Sequence, residues 1–279
     1  MTSSSSDRRF RLAGRRAIVT GAATGIGRAI AIRFAEEGAE VAINHRKGGD
    51  SPEATLAEAN AASRKSGFAA ARHLAIAADI ADRTQVEAMV AEAIGVWGGL
   101  DIMVNNAGIQ SRSPSEDLED EELRRILDVN LIGAWHCAKA AIRHFLAGQK
   151  PGVILSNSSV HQIIPKPGYL PYSISKAGLG NLTRTLALEY ADRGIRVNAV
   201  GPGAIETPIN KGWTADAEKR RAVESHIPMG RAGTPAEIAA VFAFLASDEA
   251  SYITGQTIYA CGGLTLFGEF RSDWSSQSG

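Results

Sequence analysis

Cysteine is scarce: Cys137 and Cys261 are the only two in 279 residues, and they lie far apart and outside any C-x-x-C spacing. A disulfide scaffold and a structural zinc site are thereby disfavoured, no metal is expected, and a reducing cytoplasm is the expected compartment. Net charge is also missing, since Lys plus Arg and Asp plus Glu number 30 each. No overall field draws such a chain onto nucleic acid or an anionic membrane, so neither is an expected partner. No apolar run reaches the length of a membrane-spanning helix. Arg8-Arg9 resembles the start of a twin-arginine export signal, but the apolar stretch Ala17-Ile18-Val19 is short and ends in a glycine loop. That stretch reads as a strand and not as a signal core. Residues 1–9 are expected to be a disordered tail, and residues 10–279 one domain.

What the sequence does contain is alternation. Short Val/Ile-rich runs at Ala17–Thr20, Glu40–Asn44, Ala70–Ala77, Ile102–Asn105, Val153–Asn157, Arg196–Val200 and Thr257–Tyr259 are separated by longer helical patterns. These fall near Ile26–Glu37, Pro52–Ser66, Arg83–Val96, Asp120–Leu127, Leu131–Leu146, Tyr172–Tyr190 and Pro235–Ser247. Repeated strand–helix units predict an α/β fold: one doubly wound parallel sheet of seven strands with helices on both faces. Residues 206–233 break the rhythm with three glycines, two prolines and a charged helical piece, Asp216–Ser225. An insertion of that length after a strand end is expected to be a substrate lid.

The chemistry concentrates at strand ends. Thr20-Gly21-Ala22-Ala23-Thr24-Gly25-Ile26-Gly27 follows the first strand and opens the first helix. Glycines there let the backbone turn sharply and approach a pyrophosphate, whose charge meets the amides and dipole of the helix N-terminus. Asp79-Ile80 and Asn105-Asn106-Ala107-Gly108 close the third and fourth strands. In an open parallel sheet such residues gather around one crevice. Asp79 suits an adenine amino group; capping the next helix is its other reading. Tyr172 and Lys176 stand four apart, hence on one helical face, where an ammonium would stabilise a phenolate whose ordinary pKa is near 10. An exposed surface pair is the alternative for those two residues taken alone.

T-G-x-x-x-G-I-G at 20–27, N-N-A-G at 105–108, Asn130, Ser158-Ser159, Y-x-x-x-K at 172–176 and Pro202-Gly203 occur in one ordered set. This set resembles the short-chain dehydrogenase/reductase family over about residues 12–263. The resemblance implies a Rossmann-type fold and a nicotinamide cofactor. It implies Tyr172 as general acid/base, Lys176 on the nicotinamide ribose, Ser159 orienting the substrate oxygen and Asn130 holding a relay water. Ser158 is left a backbone-capping role. Gly21, Thr24, Gly25, Ile26 and Gly27 would hold the pyrophosphate, with Asp79, Ile80, Asn106, Ala107 and Gly108 along the adenosine and ribose. Pro202, Gly203, Ile205 and Thr207 would flank the nicotinamide.

Cofactor choice is set where the second strand ends, and Ile43-Asn44-His45-Arg46-Lys47 holds no acid there. Arg46 suits a 2′-phosphate, so NADP is favoured over NAD, although the glycine loop lacks the extra base many NADP enzymes carry. The segments at 158–165, 201–210 and 225–230 are similar to the bacterial glucose 1-dehydrogenases, which oxidise β-D-glucose to the lactone. That likeness puts Gln110, Ser159, His161, Tyr172 and Asn210 at a sugar. Gln110, where those enzymes commonly carry Glu, and Leu264–Gly279, with Phe267, Phe270 and Trp274, depart from them. Another aldose, polyol or ketone is the second reading of the substrate. A non-catalytic dinucleotide-binding regulator is a third reading of the protein, opposed by the intact set Asn130, Ser159, Tyr172 and Lys176. Family habit implies a homotetramer built on the helices at 131–146 and 172–190.

Overall fold

A computed structural model describes residues 10–266; the N-terminal tail 1–9 and Phe267, Phe270 and Trp274 lie outside the described residues. Seven strands, β1 (Arg16–Val19), β2 (Glu40–His45), β3 (Leu74–Ala77), β4 (Ile102–Asn105), β5 (Gly152–Asn157), β6 (Ile195–Pro202) and β7 (Thr257–Ala260), form one sheet. Their order is β3-β2-β1-β4-β5-β6-β7 with every pairing parallel. The winding direction reverses between β1 and β4, which opens a crevice at the carboxyl ends of those strands.

The nine helices among the described residues are α1 (Gly25–Glu36), α2 (Glu53–Lys65), α3 (Arg83–Trp97), α4 (Asp120–Leu127), α5 (Gly133–Ala147), α6 (Leu170–Tyr190), α7 (Lys211–Thr214), α8 (Ala217–Glu224) and α9 (Pro235–Ala246). Side chains alternate across the strands with period two, and the two cores show it. Ala17, Val19, Ile102, Val104, Val153 and Leu155 pack with α1 and α9 on one face. Ile18, Met103 and Ile154 pack with α3 and α5 on the other. A sheet covered on both sides is why its strands read as unbroken apolar runs.

Local signals explain the helix ends. Asp82 caps α3 by accepting from the amides of Thr84 (2.8 Å) and Gln85 (3.2 Å), and Gly98 closes it in the left-handed region at φ 75°. Thr234 and Glu237 form a reciprocal capping box on α9, with Pro235 in its first turn. Each such cap contributes roughly 1 kcal/mol.

Most boundaries shift by one or two residues from the sequence reading, and three differences matter here. The third strand starts at Leu74 and not Ala70, because residues 68–71 close a turn and the Val41 amide is taken by the His73 ring (3.1 Å). Helix α6 starts at Leu170, so Tyr172 sits in its first turn and not at its tip. Finally, α4 and α5 are not separate. A π-helical turn, Asp128–Ile132, joins them, closed by the Gly133 amide donating to the Asp128 carbonyl. A Cβ on Gly133 would meet the Ile80 carbonyl at 2.9 Å, so the glycine lets the helix pass the third strand's exit.

Residues 206–233 leave the body after β6 and return beside it. The stem is a bridge, Ile205 against Gly233, with the Glu206 amide on the Gly233 carbonyl (3.0 Å) and the Gly233 amide on the Ala204 carbonyl (2.9 Å). Arg220 on α8 pairs with Glu224 (2.9 Å) and reaches back to Glu206, tying the excursion to its stem.

Candidate active site

Beyond the carboxyl ends of the strands lies a cavity of about 1040 Å³. Small-molecule and cofactor sites span roughly 300–1,000 Å³, so this one has room for a dinucleotide and a small substrate together. Every candidate residue named from the sequence lines it except Asn130, which stands behind the wall.

The glycine loop is shaped for close approach. Gly21 and Gly25 adopt φ of 60° and 58°, and a Cβ on Gly21 would lie 2.8 Å from the Ala107 Cα. Unlike α3 and α9, α1 has no side-chain cap: the Thr24 hydroxyl donates instead to the Asp50 carboxylate at 3.3 Å. The first amides of α1 are therefore available to an anion in the cavity, and these residues fit a pyrophosphate.

Polar side chains join the strand ends into one frame. Thr20 Oγ1 donates to the Val104 carbonyl (3.2 Å) and accepts from the amides of Asn106 (2.9 Å) and Ala107 (3.1 Å). Asn44 Oδ1 accepts from the Gly21 amide (3.2 Å), while its Nδ2 donates to the Ala78 carbonyl (3.1 Å). Asn106 Nδ2 donates to the carbonyls of Thr20 (2.8 Å) and Gly21 (3.1 Å), and its Oδ1 accepts from Asn157 Nδ2 (2.9 Å). The Asn157 carbonyl accepts from Lys176 Nζ (2.7 Å). An unbroken path thus runs from the glycine loop to the lysine. Sequence reasoning gave Asn44 and Asn157 no role here, because a polar residue ending a strand has no motif of its own. Asp50 was also missed: five residues beyond β2, it places a carboxylate in the cavity lining.

Tyr172 and Ser159 line the same cavity. Burial pushes the Tyr172 phenol above its ordinary value, with the nearby Ser159 hydroxyl opposing. Burial pushes Lys176 down to about 8. Its ammonium lies 5.4 Å from the Tyr172 ring centroid. Desolvation disfavours charge on both groups, and Lys176 already donates to Asn157.

The His161 and Tyr172 rings meet edge to face with centroids 6.1 Å apart. His161 Nδ1–H donates to the Ile164 carbonyl (3.0 Å), which leaves Nε2 as an acceptor in the neutral ring. Burial, opposed by that hydrogen bond, pushes its pKa down. Asn210 lines the cavity while its Nδ2 holds the Ile205 carbonyl (2.8 Å), and Gln110 lines it too.

Some assignments change. Ser158 is not the cap: its hydroxyl donates to Gln162 Oε1 (2.6 Å), whereas Ser159 Oγ accepts from the His161 amide (3.1 Å). Asp79 does not cap α3, which Asp82 does, and instead accepts from the Ala81 amide (3.0 Å). Asn130 spends its whole side chain on protein. Its Oδ1 accepts from the Ile109 amide (2.8 Å), and its Nδ2 donates to the Ile109 carbonyl (2.9 Å) and to Ser175 Oγ (3.1 Å).

Comparison with known proteins agrees with this geometry. The family model described as enoyl-(acyl carrier protein) reductase matches residues 21–265. Glucose 1-dehydrogenase of Gluconobacter oxydans is 51% identical over 266 residues, 95% of this chain and 97% of that one. The chain belongs to the short-chain dehydrogenase/reductase family. Within that family, 3beta-hydroxysteroid dehydrogenase 1 of Eggerthella lenta is 49% identical over 93% of this chain and 97% of its own. A gluconate 5-dehydrogenase from Burkholderia cenocepacia, solved with NADP and tartrate, superposes with a TM-score of 0.82 at 34% identity, covering 93% and 98% of the two chains. As a short-chain dehydrogenase/reductase the protein is a nicotinamide-dependent oxidoreductase acting on alcohol groups of small molecules. Among the described residues, no helix is long and apolar enough to cross a membrane.

Proposed function

We propose that this short-chain dehydrogenase/reductase interconverts an alcohol of a sugar, or of a related polyhydroxy compound, with its carbonyl form, using NADP in preference to NAD. The observation that carries this reading is one cavity holding Ser159, Tyr172 and Lys176 just beyond the glycine loop, with His161, Gln110 and Asn210 facing the same space. Several polar groups around one reacting centre are what a polyol requires, because unpaired partners penalise a substrate lacking the hydroxyls. Glucose heads the substrate panel on the likeness of this chain to glucose 1-dehydrogenase.

The nicotinamide, when bound, accepts or returns the hydride. The protein's part is the proton and the geometry. Ser159 and Tyr172 hold the substrate oxygen between two hydroxyls, and Tyr172 takes its proton in oxidation or supplies it in reduction. With glucose the C–H electrons leave as hydride, the O–H proton passes to Tyr172, and the lactone carbonyl forms. Lys176 places positive charge beside the developing phenolate. Asn130 acts as a positioning residue, since it clamps Ile109 and, through Ser175, the Tyr172 carbonyl (2.7 Å). The α1 amides hold the pyrophosphate, Asp79 the adenine amino group and Arg46 the 2′-phosphate, while residues 206–233 close over the substrate.

Purified protein is mixed with NADP or NAD and a panel of glucose, other aldoses, gluconate, polyols and a 3β-hydroxysteroid, and nicotinamide absorbance is followed. Turnover of a sugar or sugar derivative with NADP is expected. Turnover of the steroid alone would move the substrate class; cofactor binding with no turnover at all would favour a silent regulator.

A further inference from the structure

The cavity's charges are unevenly placed. Its two acidic residues, Asp50 and Asp79, follow β2 and β3 at one side of the sheet. Across the switch point, the loop between β5 and α6 brings Lys166 into the lining, half-buried. Lys166 Nζ lies 3.9 Å from the Tyr169 ring centroid, which supports the ammonium on one side and leaves its charge uncancelled. Arg112, exposed on the neighbouring loop, acts on it. The two loops are fastened together by the Ser113 amide donating to the Gly168 carbonyl (2.9 Å), and a Cβ on Gly168 would press the Arg112 Cγ at 3.3 Å. Burial, then the Arg112 charge, push the Lys166 pKa down, and among the described residues no carboxylate opposes them. Lys166 also acts on His161, whose ring contacts Tyr172, so the charge lies one side chain from the reacting centre.

Two neighbouring cations with no counterion among the described residues, one of them partly desolvated, cost free energy that an arriving anion offsets. We propose that Lys166, backed by Arg112, forms an anion subsite of the active site, and that the preferred substrate is a polyhydroxy acid. Its reacting hydroxyl sits at Tyr172 and its carboxylate at Lys166. This rests on the sugar-dehydrogenase reading and narrows it from a neutral sugar to an acidic one. The carboxylate is a spectator in the hydride transfer; it contributes binding and orientation, and it rejects uncharged analogues by leaving the subsite unpaired.

Gluconate and glucose are titrated by calorimetry into protein saturated with NADPH, where neither can be oxidised. Gluconate is expected to bind about tenfold or more tighter, the scale of one hydrogen bond to a charged group, and to weaken as salt is added. Lys166→Gln is expected to remove that advantage, to leave NADPH affinity and glucose binding unchanged, and to be rescued in part by Lys166→Arg. In turnover, Lys166→Gln raises KM for gluconate with little change in kcat. Equal binding of the two ligands, or a loss in Lys166→Gln that falls on both alike, would overturn the subsite. Selective gluconate binding without turnover of any sugar or sugar acid would instead uphold the subsite and overturn the dehydrogenase reading on which the substrate assignment rests.

Discussion

Burying the Lys176 ammonium costs the folded protein stability, and the sign of that cost is testable. Its folded pKa of about 8 lies below the ordinary 10.5, so between those values the unfolded chain holds more protons than the folded one. Stability contributed by this group therefore rises with pH across that window, and the cost is complete below pH 8. At about 1.4 kcal/mol per unit it comes to roughly 3 kcal/mol. In thermal unfolding followed by circular dichroism, the wild-type midpoint should gain on that of Lys176→Met as pH rises from 8 to 10; parallel curves would refute the assignment. Tyr172→Phe should lose at least about a thousandfold in kcat while cofactor affinity stays within about twofold, since general acid/base transfer is worth roughly 10²–10⁴. Substantial residual turnover would place the acid/base elsewhere. We propose that Arg46 and Asp50 act in opposite directions at the cofactor ribose. Arg46→Asp should shift the ratio of NADP to NAD affinities towards NAD, and Asp50→Asn towards NADP, each by about tenfold. Fluorescence titration of both cofactors reads the ratios, and an unchanged ratio in either variant removes that residue from the choice.

Among the elements, the β1–α1 turn and the π turn between α4 and α5 show what pattern reading captures and what it misses. The turn was legible because glycine spacing after an apolar strand has few other uses. Its packing makes it demanding: a Cβ on Gly27 would lie 2.4 Å from both the Gly21 carbonyl and Asn106 Nδ2. Gly27→Ala should cost about 1–3 kcal/mol by overpacking and weaken cofactor binding by more than tenfold, read by unfolding and fluorescence titration together. A variant that bound normally would show that the loop yields. The π turn was not legible, since Asp128-Val129-Asn130 carries no glycine or proline to mark it, and a buried Asn bonded to a distant loop leaves no periodic trace. The start of β3 was missed for a similar reason: His73 replaces a backbone partner with its ring, an exchange made 32 residues from Val41.

Across the whole molecule, the helices that cover the sheet leave one face of α6 open. Leu170, Ile174 and Leu188 on α6 are exposed, Leu188 to 87%. We propose that α5 and α6 associate with their copies, as family habit implies. Light scattering should give a multiple of the monomer mass, and Leu188→Glu or Ile174→Glu should lower it; a wild-type monomer would end the idea. What the amino-acid order settled alone was the alternation of strands and helices, the glycine turn after β1 and the placing of Tyr172 and Lys176 on one helix. Each of these is written in residues close together in the chain, through a period of two, a period of 3.6 or a turn's need for glycine. Three-dimensional assembly was needed for the rest. Asn44, Asp50 and Asn157 acquire roles only when strand ends far apart in sequence converge, and Lys166 becomes a site residue only because its loop lies across the cavity from both acids. The depressed pKa of Lys176 likewise comes from burial by surrounding elements. Contacts between distant segments and desolvation are properties of the packed chain, and no local pattern encodes them.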